Sequence, residues 1–299
     1  MSQLNNNDTT LRIALPKKGR IADELGPLFK EAGYDWSISE TDRTLFAKLS
    51  NNIEAMFVRT KDVATVVADG VVDIGITGTD IVEESQSNVQ LIEKLPIFSC
   101  RLVLAAQSQW RDDYLNTVPK KIRIATSFPN LANQWGREKG IEIDVVPLSG
   151  SVEIAPKLSI ADAIIDLTQS GATLRSNGLV EVETIKDVGA CVIASPEIDL
   201  NQDNEKSNEA KIFCEVLTSV INARGKRYLM MNVPKEVLEE VKEIVPGMSS
   251  PTVIDLYGKD DIVAIHTVIE AKYLNSTIAK LRNLGVQAIL VSHIERLIP

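Results

Sequence analysis

Leu11-Arg12-Ile13-Ala14-Leu15-Pro16-Lys17-Lys18-Gly19-Arg20 sets the grammar of the first two thirds of the chain. An apolar run of one strand's length stops at Pro16, and a cationic turn with a glycine follows. Ile21, Leu25, Leu28, Phe29 and Ala32 then recur at helical spacing until Gly33. Working outward, residues 53–58 read as a strand, 62–68 as a helix and 71–76 as a strand. That alternation predicts an α/β domain on a largely parallel sheet. A second set begins near Arg101: strands at 102–106 and 122–125, a helix at 131–139 ending at Gly140, and strands at 141–146 and 163–167 with a helical segment between them. Two such sets suggest two lobes with a cleft. A further amphipathic helix is expected at 211–223, after a polar, exposed stretch at 201–208.

From Lys226 the grammar changes. Residues 228–233 read as a strand and 234–245 as a helix broken by Pro246-Gly247. Strands at 252–256 and 262–269, a helix at 274–284 closed by Gly285, and a strand at 288–292 complete the order βαββαβ, the ferredoxin-like unit. Arg224-Gly225-Lys226 is the expected boundary.

Bulk properties narrow the function classes. A length of 299 residues suits two or three domains, and a hydrophobic fraction of 44% supports sizeable cores. The net charge of −9 argues against a nucleic-acid partner, although a few local cations can still hold an anionic substrate. Residues 1–10 are polar and Asn-rich, lack the basic and apolar regions of a secretory signal, and read as a disordered tail. No apolar stretch is long enough for a membrane span. Cys100, Cys191 and Cys214 lie far apart in apolar runs, which predicts buried free thiols in a reducing, cytoplasmic setting. His266 and His293 both fall in C-terminal strand segments, so a His-based triad or zinc site is not expected.

Three turns carry the chemistry. In Asp166-Leu167-Thr168-Gln169-Ser170-Gly171-Ala172-Thr173-Leu174 an apolar strand runs into a turn rich in hydroxyls, with a glycine. Backbone N–H groups and the hydroxyls of Thr168, Ser170 and Thr173 can face one phosphate, and Gly171 allows close backbone approach. Asp166 can accept ribose hydroxyls or bind hydrated Mg2+. A plain helix cap uses the same residue types, so both readings stand at this level. Pro16–Arg20 and Thr77-Gly78-Thr79-Asp80 also follow strands, where ligands of open α/β sheets bind. Neither GxxxxGK[ST] nor GxGxxG is present.

Arg12–Arg20, Asp73–Asp80, Arg123–Pro129, Ser149–Pro156, Ala161–Leu174 and, in the tail, Tyr228–Met231, Pro246-Gly247, Ser250-Pro251-Thr252, Val263–Ile265 and Ala288–Val291 give the chain its resemblance to the long-form ATP phosphoribosyltransferases, the first enzymes of histidine biosynthesis. The resemblance spans residues 11–299. It implies a two-lobed catalytic domain over 11–223, similar to type II periplasmic binding proteins. Lobe I is expected at about 11–97 and 191–223, lobe II at about 98–190, and a regulatory domain at 224–299. It implies that Asp166, Leu167, Thr168, Gln169, Ser170, Gly171, Ala172 and Thr173 hold phosphoribosyl pyrophosphate. Lys17, Gly19, Arg20, Arg59, Thr77, Gly78 and Asp80 are the candidates for ATP or polyphosphate. Lys17, Arg20 and Glu153 are the electrostatic candidates, with no covalent catalyst.

Mg2+ is expected to be held mainly by substrate, with Asp166 as a possible ligand. Histidine is the implied inhibitor, at Asn232, Met248, Ser250, Thr252 and Ala288, in a homo-oligomer running from dimer to hexamer. Phe128 stands where relatives often carry Tyr, and Asn232 where relatives vary. The competing expectation is a two-lobed binder or amino-acid sensor without catalysis.

Overall fold

The computed structural model describes residues 9–36 and 44–299. The tail read at 1–10 therefore lies outside the described residues up to residue 8. The chain divides into compact units, Met1–Cys214 and Glu215–Pro299, and the division falls within one helix. No helix among the described residues is long and apolar enough to cross a membrane.

In the first unit, strand β1 (Leu11–Pro16) leads into helix α1 (Arg20–Glu31), which buries Ile21, Leu25, Leu28 and Phe29 on one face. Next come β2 (Phe46–Lys48), β3 (Ile53–Val58), α2 (Val63–Ala68), β4 (Ile74–Gly78) and α3 (Thr79–Ser85). The long strand β5 (Gln90–Gln107) precedes α4 (Ser108–Asn116), β6 (Lys121–Thr126), α5 (Pro129–Lys139), β7 (Glu142–Pro147), β8 (Ala163–Thr168), α6 (Ala172–Ser176) and a second long strand, β9 (Leu179–Ala194). Helix α7 (Glu205–Ala223) follows.

One nine-stranded sheet runs β2-β3-β1-β4-β9-β5-β8-β6-β7. β1 is parallel to β3 and β4, and β6 is parallel to β7 and β8. β9 pairs antiparallel with β4 and β5, and β5 antiparallel with β8. The sheet is thus mixed, where the strand–helix alternation had predicted a largely parallel one. The register locates the strand ends. Gly78 of β4 lies opposite Ala190 of β9, and Thr168 of β8 lies opposite Arg101 of β5. Leu95 and Ala190 are themselves partners, as are Arg101 and Asp187. The carboxyl ends of β4 and β8 therefore approach the middle of the β5–β9 ribbon from opposite sides, at the register break between Leu95 and Ser99.

Other departures have local causes. β4 starts at Ile74, not 71, because Val71 N–H bonds to the Val66 carbonyl and closes the α2 turn. Only a single 3-10 turn, Val152–Ile154, stands where a helical segment was expected between β7 and β8. α7 begins at Glu205, six residues ahead of expectation. Asn204 Oδ1 accepts from Ser207 N–H at 2.8 Å and caps it, drawing the supposedly exposed Ser207 into the interior.

α5 starts without a capping side chain of its own. Pro129 at its first position has no N–H to satisfy. Glu84 of α3 supplies the next two acceptors: its carboxylate takes Asn130 N–H (3.1 Å) and Leu131 N–H (3.0 Å), while its carbonyl takes the Asn130 side-chain amide (2.8 Å). Ala132 N–H reaches the Phe128 carbonyl, so the first turn is fully bonded.

In the second unit β10 (Lys226–Pro234), α8 (Leu238–Ile244), β11 (Thr252–Leu256), β12 (Lys259–Glu270), α9 (Leu274–Asn283) and β13 (Gln287–His293) follow in the expected βαββαβ order. The sheet β11-β12-β10-β13 is antiparallel throughout, which is ferredoxin-like. Leu229, Met231, Val233, Val263 and Ile265 form its inner face, against Val241 and Leu281 of the helices.

Gly136 of α5 allows the helix to lie close against β7: a Cβ there would meet Ile143 Cγ1 at 2.3 Å and the Ile141 carbonyl oxygen at 2.8 Å. Gly136→Ala is expected to destabilise the protein by about 1–3 kcal/mol through overpacking. The measurement is the urea midpoint, and an unchanged midpoint would mean that β7 yields freely.

Candidate active site

β8 ends in the loop that the sequence singled out. Thr168 Oγ1 accepts from Gly171 N–H at 3.0 Å, Ser170 Oγ accepts from Ala172 N–H at 3.4 Å, and Asp166 Oδ1 accepts from Leu167 N–H at 2.8 Å. Each hydroxyl thereby fixes the turn as an acceptor and keeps its own proton for another partner. Gly171 sits at φ 72°, in the left-handed region, and a Cβ there would lie 2.8 Å from Arg175 Nη1. The loop lines a cavity of about 240 Å³ together with Arg20 and Glu153. Arg20 comes from the first residue of α1, which Gly19 (φ 99°) allows to begin directly after the turn. Glu153 comes from the 3-10 turn before β8.

A second cavity, about 340 Å³, shares Arg20, Asp166 and Leu167 with the first. Its other lining residues are Ile21, Thr60, Lys61, Asp80, Ile81, Phe98 and Phe128. The walls are mainly apolar, with two aromatic rings. The N–H groups that open α5, next to Phe128, are already bonded to Glu84 and Phe128, so this cavity is not built around a helix-end anion site.

The candidate residues thus separate. Arg20, Glu153, Asp166–Thr173 and Asp80 line these two cavities; Lys17, Gly19, Arg59, Thr77 and Gly78 line neither. Lys17 donates to the Thr44 carbonyl at 3.0 Å, and the buried Thr77 hydroxyl donates to the Thr60 carbonyl at 3.3 Å. Gly78 supports Asp80: a Cβ on it would come within 2.1 Å of Asp80 Oδ1. Sequence reasoning did not select Thr60, Lys61 or Phe98. Phe98 lies in the register break of β5, which periodicity does not reveal.

Burial governs the charges. It raises the Asp166 carboxyl above the usual range, and nearby Glu153 raises it further, against the Leu167 N–H and Arg20. Asp80 is 5% exposed, and burial pushes its carboxyl up to about 6. Its own N–H and that of Ile81 oppose the rise, while Glu83 and Glu84 add to it. Burial, with Asp80 nearby, holds the Cys100 and Cys191 thiols up at about 11 and about 12, so neither is a thiolate nucleophile. Among the described residues no group of three or more His, Cys, Asp or Glu side chains is placed to hold a metal.

In the second unit, Asn232 lies opposite Ala264, and Thr252 opposite His266. Both therefore sit on the sheet face turned away from the Met231–Ile265 core. Ala288 has φ 50°, at the irregularity between β10 and β13. Met248 lines a different cavity, about 510 Å³, with Lys226, Glu270, Tyr273 and Lys280.

Comparison with known proteins follows the same division. The family described as ATP phosphoribosyltransferase matches residues 59–217, and that described as HisG, C-terminal domain, matches residues 223–296. An ATP phosphoribosyltransferase of Gemmatimonas aurantiaca is 44% identical over 293 residues, covering 97% of this chain and 100% of that protein. One from Methanococcoides burtonii is 39% identical over 290 residues, covering 97% and 100%. The solved ATP phosphoribosyl transferase (HisG:HisZ) complex from Thermotoga maritima contains a chain that is 30% identical, with TM-score 0.60, covering 71% of this chain and 99% of that one.

Asp80 has a consequence for stability. Its value in the folded protein, about 6, exceeds the usual 3.8, so the folded state takes up the proton first as pH falls. Burying the ionised carboxylate therefore costs stability above about pH 6, and the cost fades as pH drops toward the unfolded value. The gap corresponds to no more than about 3 kcal/mol. Asp80→Asn is expected to be more stable than the parent by about 1–3 kcal/mol at neutral pH. Urea melts across pH should show that gain shrinking on acidification; a gain independent of pH would contradict it.

Proposed function

Because the chain belongs to the ATP phosphoribosyltransferase family, we propose that the two adjoining cavities receive its two substrates, phosphoribosyl pyrophosphate in the Asp166–Leu174 cavity and the adenine of ATP in the Phe98–Phe128 cavity. The reaction joins N1 of the ATP adenine to C1 of phosphoribosyl pyrophosphate, releasing pyrophosphate and opening histidine biosynthesis. The observation that supports the placement is the sharing of Arg20, Asp166 and Leu167 by a polar, hydroxyl-rich cavity and an apolar, aromatic one. A ribose phosphate suits the former and a purine the latter, and the shared wall is where N1 and C1 would meet.

The 5-phosphate takes the protons of the Thr168 and Ser170 hydroxyls and those loop N–H groups not already bonded to Asp166, Thr168 and Ser170, with Gly171 admitting the backbone. Asp166 accepts from the ribose hydroxyls. C1 passes through an oxocarbenium-like state, as in glycosyl transfer generally. The Asp166 and Glu153 carboxylates complement that positive charge, while Arg20 faces the departing negative charge. A divalent cation, here taken as Mg2+, enters with the pyrophosphate as part of the substrate, since such dense oxygen charge suits it. No protein nucleophile is needed, because adenine N1 supplies its own lone pair; positioning provides much of the rate. A binder or sensor without catalysis gives way to this reading on family membership.

The lobes are taken at about 11–97 with 191–223 and at about 98–190, and the ferredoxin-like unit as the seat of histidine feedback. Asn232 and Thr252 share an outer sheet face that can meet a polar effector. Assembly from dimer to hexamer, in the cytoplasm, completes the proposal.

The direct test is pyrophosphate release from ATP, phosphoribosyl pyrophosphate and Mg2+, with loss of product on chelation. Thr173→Ala is expected to weaken phosphoribosyl pyrophosphate binding by about 1–3 kcal/mol, and Gly171→Val by at least as much; unchanged binding in both would reduce the loop to a helix cap. Histidine is expected to inhibit the intact chain, and Thr252→Ala to weaken that inhibition. Equal sensitivity of the two would place the effector elsewhere.

A further inference from the structure

We propose that Asp80 reads the 6-amino group of the ATP adenine, selecting adenine over purines that lack it and steadying the positive charge that the ring acquires. The inference rests on the placement of adenine in the Phe98–Phe128 cavity.

Three observations single out this residue. Asp80 lines that cavity among Ile21, Ile81, Phe98, Phe128 and Leu167 and does not line the ribose cavity, whereas Asp166 lines both. Its position is fixed. The carboxylate folds back over Gly78, where no Cβ obstructs it, and receives its own N–H and that of Ile81. It makes no ion pair among the described residues, although Arg20 and Lys61 line the same cavity, and the charges that act on it from its own helix, Glu83 and Glu84, share its sign. A carboxylate so placed repels polyphosphate, so of the ATP or polyphosphate expected at Asp80 the adenine end is the part that fits. It suits a neutral N–H donor that becomes cationic.

The chemistry supplies such a donor. As the N1–C1 bond forms, the lone pair of N1 is consumed and the C1–O bond breaks, its electron pair leaving with pyrophosphate. The adenine then carries positive charge spread over N1, C6 and the 6-nitrogen. Its amino protons become stronger donors, and the hydrogen bond to a carboxylate strengthens from substrate to transition state. No proton has to leave the ring for this to act. An unpaired buried carboxylate is costly in the resting protein, and the developing cation is the partner that offsets it.

The experiment compares binding of ATP and purine riboside 5′-triphosphate, which lacks the 6-amino group, in the full chain and in Asp80→Ala, Asp80→Asn and Phe128→Ala. The parent is expected to prefer ATP by about tenfold or more, and Asp80→Ala to bind the two within about twofold. Asp80→Asn retains a hydrogen-bond acceptor without the charge. Its KM for ATP should change little while kcat falls about 100-fold, with phosphoribosyl pyrophosphate binding retained as the control for folding. Phe128→Ala should weaken both triphosphates alike. If Phe128→Ala leaves ATP binding unchanged, the placement of adenine fails and this inference with it. If Phe128→Ala weakens binding but Asp80→Ala keeps the full preference for ATP, or Asp80→Asn keeps the parent kcat, the placement stands and the role of Asp80 is overturned.

Discussion

The antiparallel pairing of β5 with β9 is the constraint from which the site follows. Each strand is long enough to serve both halves of the sheet, and β4 joins the ribbon on one side while β8 joins it on the other. Because β4 and β8 approach from opposite ends, their carboxyl termini meet at its middle. β1 runs parallel to β4 and β6 parallel to β8, so the turns after all four strands gather there too. Arg20, Asp80, Phe128 and Asp166 are thereby brought to two connected cavities from positions up to 146 residues apart in sequence. Phe98 joins them at the interruption in β5.

The site departs from the habits of a protein interior. Cores place apolar groups inside and pair the charges that they bury. Here Asp80 and Asp166 are substantially buried with their carboxyls raised, Arg20 acts on Asp166, and among the described residues Asp80 makes no ion pair. The same burial keeps Cys100 and Cys191 protonated. The environment therefore favours groups that hold and complement charge over groups that attack, in keeping with a reaction in which the substrate's own nitrogen is the nucleophile.

Much of this was legible before the structure. The 3.6-residue spacing of Ile21, Leu25, Leu28 and Phe29 marked α1, and the βαββαβ order of the tail needed only its breaks at Pro246-Gly247 and Gly285. The loop at Asp166–Thr173 announced itself by composition. β9 and the first half of β5 did not, because Glu181, Glu183, Lys186 and Asp187, or Glu93 and Lys94, interrupt any apolar run: these ribbon strands are half-exposed and obey neither alternation nor continuity. Without them a mixed sheet reads as parallel. The separation of Lys17 and Thr77 from Arg20 and Asp80 was equally hidden. Lys17 and Thr77 are taken up by the Thr44 and Thr60 carbonyls, while Arg20 and Asp80 stand in the first turns of α1 and α3, and these contacts join segments distant in sequence.

The bond network between Glu84 and the start of α5 has a consequence for inheritance. One side chain holds two N–H groups of a helix whose own preceding residue, Phe128, offers no cap, and Pro129 leaves no slack in where that helix begins. Glu84 and Asn130 are therefore not independent positions. Losing the glutamate strands two backbone donors at once, and a different residue at 130 forfeits the bond to the Glu84 carbonyl. Over descent the pair should drift together or stay still, tying the history of the segment after β4 to that of the segment after β6, although neither residue is among those that line the two cavities.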